Sequence, residues 1–527
     1  MEKIKPYAFL LLAGILYALG YPSLIAESLI VTPMIGVGIL FYYLLQDNSL
    51  KIKVLYLLCF NLAFNLTGFY WIANTLMEFG ALPYPLAVLL NALFSLIITP
   101  HYWVALFIIH FFRSDIKTLQ KMDFGLFGFV LAMFLTLCEY LVPQQFNVFL
   151  GQPIIALSKY LGFAHIAGLP IYSFFSYLLV FEFINLFKFK RINFFNYATI
   201  FLFIIMNPFF VPKKNVEDRI ETNVRIVQAN ISNFLKVDSE KGTYASVGQV
   251  ISRYSTLSTI PSPFSRAMDI IIWPETAYPF SLKTNLENIS DTSVPIVISQ
   301  IAVKQNSNLF IGGYDSQRKN GDSSYFKTES NTAFHISDSG ELIDLYNKQV
   351  LIPFGETLPF GPLNKYLSSY IENISFFKEG EKFTLFSLEN GSKFISTICY
   401  ELLKPEFIRD YLNSLKVRPH FMINLTNDSW YGKTMEPEQH IFLAKWRALE
   451  FNLPIIRSTN TGISSIIYPD GTESRRLGVF ETGNLDIKTS FGVNDRTLFQ
   501  RFGLFMIFPL WFLYFIFHLL RIRLRND

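Results

Sequence analysis

FISTICYELLKPE, residues 394–406, reads as a short apolar strand ending at Cys399, followed at once by Tyr400, Glu401 and the start of a helix. A strand-to-helix turn with a thiol at its tip suits a nucleophile. The buried strand holds the side chain, and the backbone N–H groups that follow can face developing negative charge. Cys399 is the one cysteine outside the apolar segments; Cys59 and Cys138 lie within them. The plainer reading is a small core residue at the end of an apolar strand, and this stretch alone does not separate the two.

The rest of the chain sets the context. At 527 residues it exceeds one ordinary domain, and 51% of it is hydrophobic, 17% aromatic and 16% charged. A soluble protein carries about 25% charged residues. The deficit is uneven: residues 1–211 and 503–520 are strongly apolar, whereas 212–500 has ordinary polar density. This is the composition of a membrane protein with a polar domain inserted before its last span. Three cysteines, two of them in apolar spans, give neither a disulfide framework nor a metal-type spacing. The opening MEKIK and its apolar run read as a retained first helix, because no small-x-small cleavage site follows and more spans do.

A span needs about 20 apolar residues. Candidates lie at 6–22, 28–46, 53–72, 82–112, 124–142, 166–187, 194–211 and 503–520, the fourth long enough to tilt or to hold an interfacial piece around Pro100. Basic loops alternate with nearly bare ones. Lys3 and Lys5, Lys51 and Lys53, Arg113, Lys117 and Lys121, Lys188, Lys190 and Arg191, and Arg521, Arg523 and Arg525 all fall on one side. The positive-inside rule then places both termini in the cytoplasm and 212–500 across the membrane. Lys213 and Lys214 run against this trend, which long translocated domains escape. Glu139 and Glu182 sit near span ends and are expected to reach the interface.

The polar block alternates strands with helical patterns. Strands are expected at 224–229, 270–273, 295–299, 309–313, 332–336, 394–398, 421–425, 454–458 and 462–468, several of them continuous apolar runs of the kind covered on both faces. Helices are expected at 247–257, 404–415 and 439–450, and a hairpin turn at Asp470–Gly471. The expected organisation is transmembrane helices 1–7 over 1–211, a catalytic domain over 220–495 and an eighth helix over 503–520.

Three stretches in this block put a polar residue at the end of an apolar strand: IIIWPETAYPF with Glu275, YNKQVLIPFGETLPF with Lys348 and Glu356, and ICYELL with Cys399 and Glu401. A free thiol, with a pKa near ~8.5, is mostly protonated at neutral pH and needs a base. A carboxylate can take the proton, and an ammonium can stabilise the thiolate and then a tetrahedral oxyanion. Taken singly, Glu275 reads as a cap or ion-pair residue and Lys348 as a solvated lysine. Taken in this order, the stretches resemble the carbon–nitrogen hydrolase (nitrilase) superfamily. With the flanking spans and NLTNDSWYG and RSTNTGISS, the chain resembles the membrane-bound apolipoprotein N-acyltransferase family over essentially its whole length.

That resemblance implies an αββα nitrilase-like sandwich joined to a membrane domain of about eight spans. It implies that Glu275 is the general base, Lys348 the oxyanion-stabilising lysine and Cys399 the nucleophile, supported by Glu356, Tyr400 and Glu401. It further implies ping-pong acyl transfer from a phospholipid, through a Cys399 thioester, to the α-amino group of a diacylglyceryl-cysteine on a lipoprotein. No cofactor, metal or nucleic acid is called for, and the setting is the bacterial inner membrane with the catalytic domain on the periplasmic side. One departure is visible: Val237 follows Leu235–Lys236 where the family often has tryptophan.

Trp430 and Tyr431 are candidates to line the pocket, with core packing the alternative. Phe354, Phe360 and Phe376, in and beside the apolar segment 358–378, are expected at the lipid interface. His440 opens an amphipathic helix whose positions Ile441, Leu443, Ala444 and Leu449 look like core, which argues against a Cys/His pair. Arg457 and Asn460 are expected to fix loops. Two rival functions stand beside acyl transfer. A membrane amidase would use water as acceptor, and a transporter or receptor would need polar groups inside the bundle, where the spans show few away from their ends.

Overall fold

The computed structural model describes residues 4–526 apart from 26, 79, 81, 213–218, 286–287, 317–328, 354, 359–360 and 365–376. Phe354, Phe360 and Phe376, with most of segment 358–378, therefore lie outside the described residues. The chain divides into two units: Met1–Pro212 with Glu438–Phe451 and Arg496–Asp527, and Lys213–Pro437 with Asn452–Asp495.

The first unit is helical. Among the described residues, Leu50–Gly68, Phe124–Leu141, Ala164–Lys188 and Leu498–Leu520 are long and apolar enough to cross a membrane. The stretches around 6–22, 28–46 and 194–211 form the shorter apolar helices Lys5–Ala18, Thr32–Leu44 and Phe194–Phe210. The stretch 82–112 is two helices, Tyr84–Phe94 and Pro100–Phe111. A proline disfavours helical backbone in the residue before it, and Thr99 sits at φ −128° and ψ 67°, so the helix restarts at Pro100. Close packing relies on missing side chains: a Cβ on Gly14 would lie 2.2 Å from Phe60 O.

Two expectations about this unit fail. Glu139 and Glu182 are buried rather than interfacial. Tyr177 OH at 2.6 Å and Leu150 N at 2.8 Å donate to Glu139 Oε1, while Asn196 Nδ2 at 2.7 Å donates to Glu182 Oε1. The interior is also not poor in polar groups, since Asn61, Asn65, Asn91, Thr99 and His101 are buried too. Hydropathy averaged over a span cannot register polar residues that pair with one another inside it. Segment Glu438–Phe451 packs within this unit. Gln439 Oε1 accepts from Trp71 Nε1 at 3.0 Å, and its Nε2 donates at 2.9 Å to both Pro22 O and Gly68 O.

The second unit holds two sheets. The strands are β1 Ile220–Gln228, β2 Ile270–Ile272, β3 Ser281–Leu282, β4 Asn308–Asp315, β5 Ser330–Ile336 and β6 Leu342–Asn347, then β7 Phe386–Ser387, β8 Lys393–Ile398, β9 Phe421–Thr426, β10 Ile455–Thr459, β11 Ser465–Ile467 and β12 Gly483–Phe491. One sheet has the order β12-β1-β2-β4-β5-β6, with β3 beside β4; the other has the order β11-β10-β9-β8-β7. The central strands β1, β2 and β4, and likewise β8, β9 and β10, run parallel. Nearly every residue of these six strands is buried, as expected of parallel strands covered on both faces.

Aromatic side chains fill the space between the sheets. Phe310 of β4 meets Phe386 and Phe394 at ring separations of 5.1 and 5.2 Å. On the outer face of the first sheet, Val250 and Tyr254 of helix Tyr244–Ser258 and Ile298, Ile301 and Ala302 of helix Ile296–Gln305 cover Ile271, Leu309 and Ile311. Helix Pro405–Ser414 buries Ile408, Tyr411 and Leu412. This is the layered nitrilase-like sandwich.

The helix Ile296–Gln305 overturns the strand expected at 295–299. Its buried positions 298, 301 and 302 follow the helical period, which a five-residue β-branched window conceals. Strands β3, β6, β7 and β12 had no sequence signal strong enough to mark them. The Asp470–Gly471 turn is present: Gly471 N donates to Tyr468 O and Tyr468 N to Thr472 O, both at 2.8 Å.

Candidate active site

Each chemistry-bearing residue follows the end of a strand. Glu275 lies three residues after β2, and Lys348, Cys399 and Asn427 are each one residue after β6, β8 and β9. Three of these strands belong to the parallel parts of the two sheets, and ligands bind at the carboxyl ends of such strands. Tight local geometry builds the corners. Cys399 has φ +53° and Thr276 φ +47°, in the left-handed region that β-carbons disfavour. β4 passes close behind the first corner, where a Cβ on Gly312 would lie 2.3 Å from Pro274 O and 2.7 Å from Glu275 Cα.

Two of the three residues picked from separate stretches, Glu275 and Lys348, meet, and the charges of both are felt at Cys399. Lys348 has no exposed surface. Its Nζ lies 3.4 Å from Glu275 Oε1 and 2.8 Å from Glu356 Oε1. It is an enclosed cation rather than a solvated lysine. Burial alone would pull its pKa down, but Glu356, Glu275 and Cys399 outweigh that and hold it above the ordinary lysine range. Cys399 is 5% exposed. Burial and then Glu275 push its pKa up, while Lys348 and a hydrogen bond from Thr426 pull it down. The resting sulfur is therefore a thiol rather than a thiolate.

Asn331 on β5 completes the cluster and had no signal in the sequence. Its Nδ2 reaches Glu275 Oε1 at 2.8 Å and Glu356 Oε1 at 3.3 Å, bridging the two carboxylates that flank the ammonium. Glu356 Oε2 accepts from Ile352 N at 2.9 Å, so that side chain is pinned at both oxygens.

Glu401 does not touch the ammonium; it organises backbone. Oε1 accepts from Tyr346 OH at 2.9 Å, Gln349 N at 2.6 Å and Val350 N at 3.0 Å, and Oε2 accepts from Ile398 N at 2.7 Å. One carboxylate thus ties the segment after Lys348 to the strand before Cys399. Burial pushes its pKa up to about 7, against the pull of the Ile398 and Val350 N–H groups and Lys348. Tyr400 is buried, with Lys404 Nζ 4.6 Å from its ring centre.

Trp430 and Tyr431 are half-buried. Burial, then Glu436 and Cys399, push the Tyr431 phenol up. Lys236 Nζ lies 5.5 Å from the Trp430 ring centre and 2.5 Å from Thr276 Oγ1. Arg457 and Asn460 fix loops as expected. Arg457 bonds Asp428 Oδ2 at 2.9 Å and Asn424 Oδ1 at 3.0 Å, and Asn460 Oδ1 and Nδ2 bond Ile231 N and O, each at 2.8 Å. The helix runs Glu436–Phe451, so His440 lies within it rather than opening it; Ile441, Ala444 and Leu449 are buried while Leu443 is half-buried.

An acid, a cation and a thiol that converge at the strand ends of a two-sheet sandwich define a carbon–nitrogen hydrolase. The carbon-nitrogen hydrolase family model matches residues 223–489, about half of the chain, and the apolipoprotein N-acyltransferase N-terminal domain model matches 13–181. An apolipoprotein N-acyltransferase of Bdellovibrio bacteriovorus is 30% identical over 77% of this chain and 74% of its own length. Those of Agrobacterium fabrum and Caulobacter vibrioides are 32% and 33% identical over 52% and 54% of this chain and 49% and 51% of theirs. The solved amidase of Nesterenkonia sp. superposes at TM-score 0.34 and 17% identity, covering 53% of this chain and 93% of that one, a likeness that carries no weight here. The chain belongs to the apolipoprotein N-acyltransferase family: it is a membrane acyltransferase of the carbon–nitrogen hydrolase superfamily that N-acylates lipoproteins.

Proposed function

We propose that Cys399 is the nucleophile, Glu275 the general base and Lys348 the oxyanion partner in a ping-pong transfer of an acyl chain from a phospholipid to the α-amino group of a diacylglyceryl-cysteine. Glu275 takes the thiol proton as sulfur attacks the ester carbonyl. Lys348, with a backbone N–H near Tyr400, faces the tetrahedral oxyanion. Collapse forms the thioester, and the lysophospholipid oxygen leaves with the proton from Glu275. The acceptor amine then attacks the thioester, Glu275 takes its proton, and the sulfur recovers that proton as the amide forms.

The observation that carries this reading is the fully buried Lys348 ammonium between the Glu275 and Glu356 carboxylates, with its charge also felt at Cys399. An enclosed cation flanked by two acids and beside a thiol suits acyl chemistry; nothing in packing alone calls for it. Glu356 and Asn331 hold the lysine and the base in register, and Glu401 and Tyr400 shape the nucleophile turn. Trp430 and Tyr431 line the acyl pocket.

The membrane part follows from the substrates. Both are lipid-anchored, so the pocket must open at a bilayer. About eight spans, with both termini cytoplasmic and the catalytic unit periplasmic, accord with the alternation of basic loops. The test is direct. The purified protein, mixed with phospholipid carrying a labelled acyl chain, should hold one label as a hydroxylamine-sensitive adduct and pass it to a diacylglyceryl-cysteine peptide. Cys399→Ala should do neither. Label that passes to water and not to the peptide amine would instead establish a hydrolase.

A further inference from the structure

A cavity in the catalytic unit is lined by Glu275, Thr276, Lys236, Asn427 and Asn460. Asn427 is 4% exposed. Its Oδ1 is fully used: it accepts from Ser429 N at 3.3 Å, Ser429 Oγ at 2.8 Å and Asn460 Nδ2 at 3.1 Å. Those bonds fix which end of the amide carries the oxygen. Among the described residues, that Nδ2 has no hydrogen-bond partner. Buried donors are almost always satisfied, so an orphan donor on a residue that lines a cavity shared with the proposed base calls for an acceptor from outside the chain.

The chemistry of that acceptor is constrained. The lining already holds a cation, Lys236, and a hydroxyl, Thr276 Oγ1, bonded to each other at 2.5 Å. A neutral oxygen acceptor is favoured there, because an anion would meet the Glu275 carboxylate. Of the two substrates, the lipoprotein brings such an oxygen to this spot. Its attacking α-amine and the carbonyl of its first peptide bond are attached to the same carbon. An amine delivered to Glu275 carries that carbonyl into the same cavity.

We propose that Asn427 Nδ2 binds the first peptide carbonyl of the acceptor and so selects a peptidyl amine over a free lipid amine. This rests on the acyl-transfer reading and deepens it. Asn427 serves the second half-reaction, after the thioester exists.

The test uses the full-length enzyme in phospholipid vesicles and follows the half-reactions separately. Asn427→Asp keeps the acceptor oxygen for Ser429 and Asn460 and removes the donor. We expect its KM for a diacylglyceryl-cysteine dipeptide to rise about tenfold or more, a larger factor than the loss in thioester formation from phospholipid, which the added negative charge near Glu275 also slows. An acceptor with the first carbonyl reduced to methylene should lose a similar factor on the wild type and little more on the variant. An unchanged KM, an equal loss in both half-reactions, or full additivity of the two changes would overturn the proposal and leave the acyl-transfer reading standing. A wild-type enzyme that forms no thioester would sink both.

Discussion

The Lys348 ammonium sits nearer to Glu356, at 2.8 Å, than to Glu275, at 3.4 Å. The tighter pair holds the cation, and Asn331 braces both carboxylates. That leaves Glu275 ion-paired but free to take a proton. Glu356→Gln removes the tighter partner, and Lys348 should then close on Glu275 and compete with the thiol for it. We expect the acyl-transfer rate constant to fall about 100-fold, in the range of losing one preorganised electrostatic partner, with KM for phospholipid nearly unchanged. A rate within threefold of wild type would mean that Glu356 is only a packing residue.

The thiol offers a readout independent of turnover. Burial and then Glu275 hold the Cys399 pKa above the ordinary thiol range, and Lys348 works the other way. Removing the negative neighbour should therefore lower it. Glu275→Gln should shift the pH profile of thiol alkylation to lower pH, speeding alkylation at pH 7.5 even as acyl transfer is lost. Lys348→Met should shift the profile to higher pH. Shifts of the same sign in both variants would refute this electrostatic arrangement.

Glu401 accepts four hydrogen bonds from three segments of chain. In Glu401→Gln a single oxygen must serve donors that two oxygens served, and the new NH2 faces an N–H group. The cost should be about 2–4 kcal/mol, mostly from buried donors left unpaired. It should lower the unfolding midpoint of the catalytic unit and abolish activity. A Gln variant as stable as wild type would show that the carboxylate is not what ties Val350 to Ile398.

In the helical unit, Gln439 satisfies one side-chain donor and two backbone carbonyls. Gln439→Leu keeps the volume and orphans all three, at a cost of about 2–4 kcal/mol. Thermal unfolding in detergent should shift downward by several degrees. An unchanged midpoint would mean that water replaces the amide at those groups.

The strand before Cys399, the run before Glu275 and the apolar spans were legible because each is a local pattern. Continuous β-branched runs mark buried strands, and a polar residue just beyond such a run marks a strand end. The weaker elements were not. Strand β12 pairs with β1 from the edge of its sheet, and of its nine residues five are half-buried and two exposed. The helix Ile296–Gln305 imitates a strand over the few residues that were read.

Within the site, the identities of Glu275, Lys348 and Cys399 were fixed by sequence, but their meaning waited on coordinates. A lysine letter does not say whether its ammonium is solvated or enclosed. Asn331 and Asn427 looked like any other asparagines, because a side-chain amide acquires a role only from what faces it. Glu139 and Glu182 show the same in the helical unit, where buried partners replaced the interface expected for them. Hydrophobic period and strand ends are set by short-range chemistry that the chain carries in its own order. Which polar atoms meet is set by the stacking of two sheets whose strands are far apart in sequence, and only the tertiary structure holds that information.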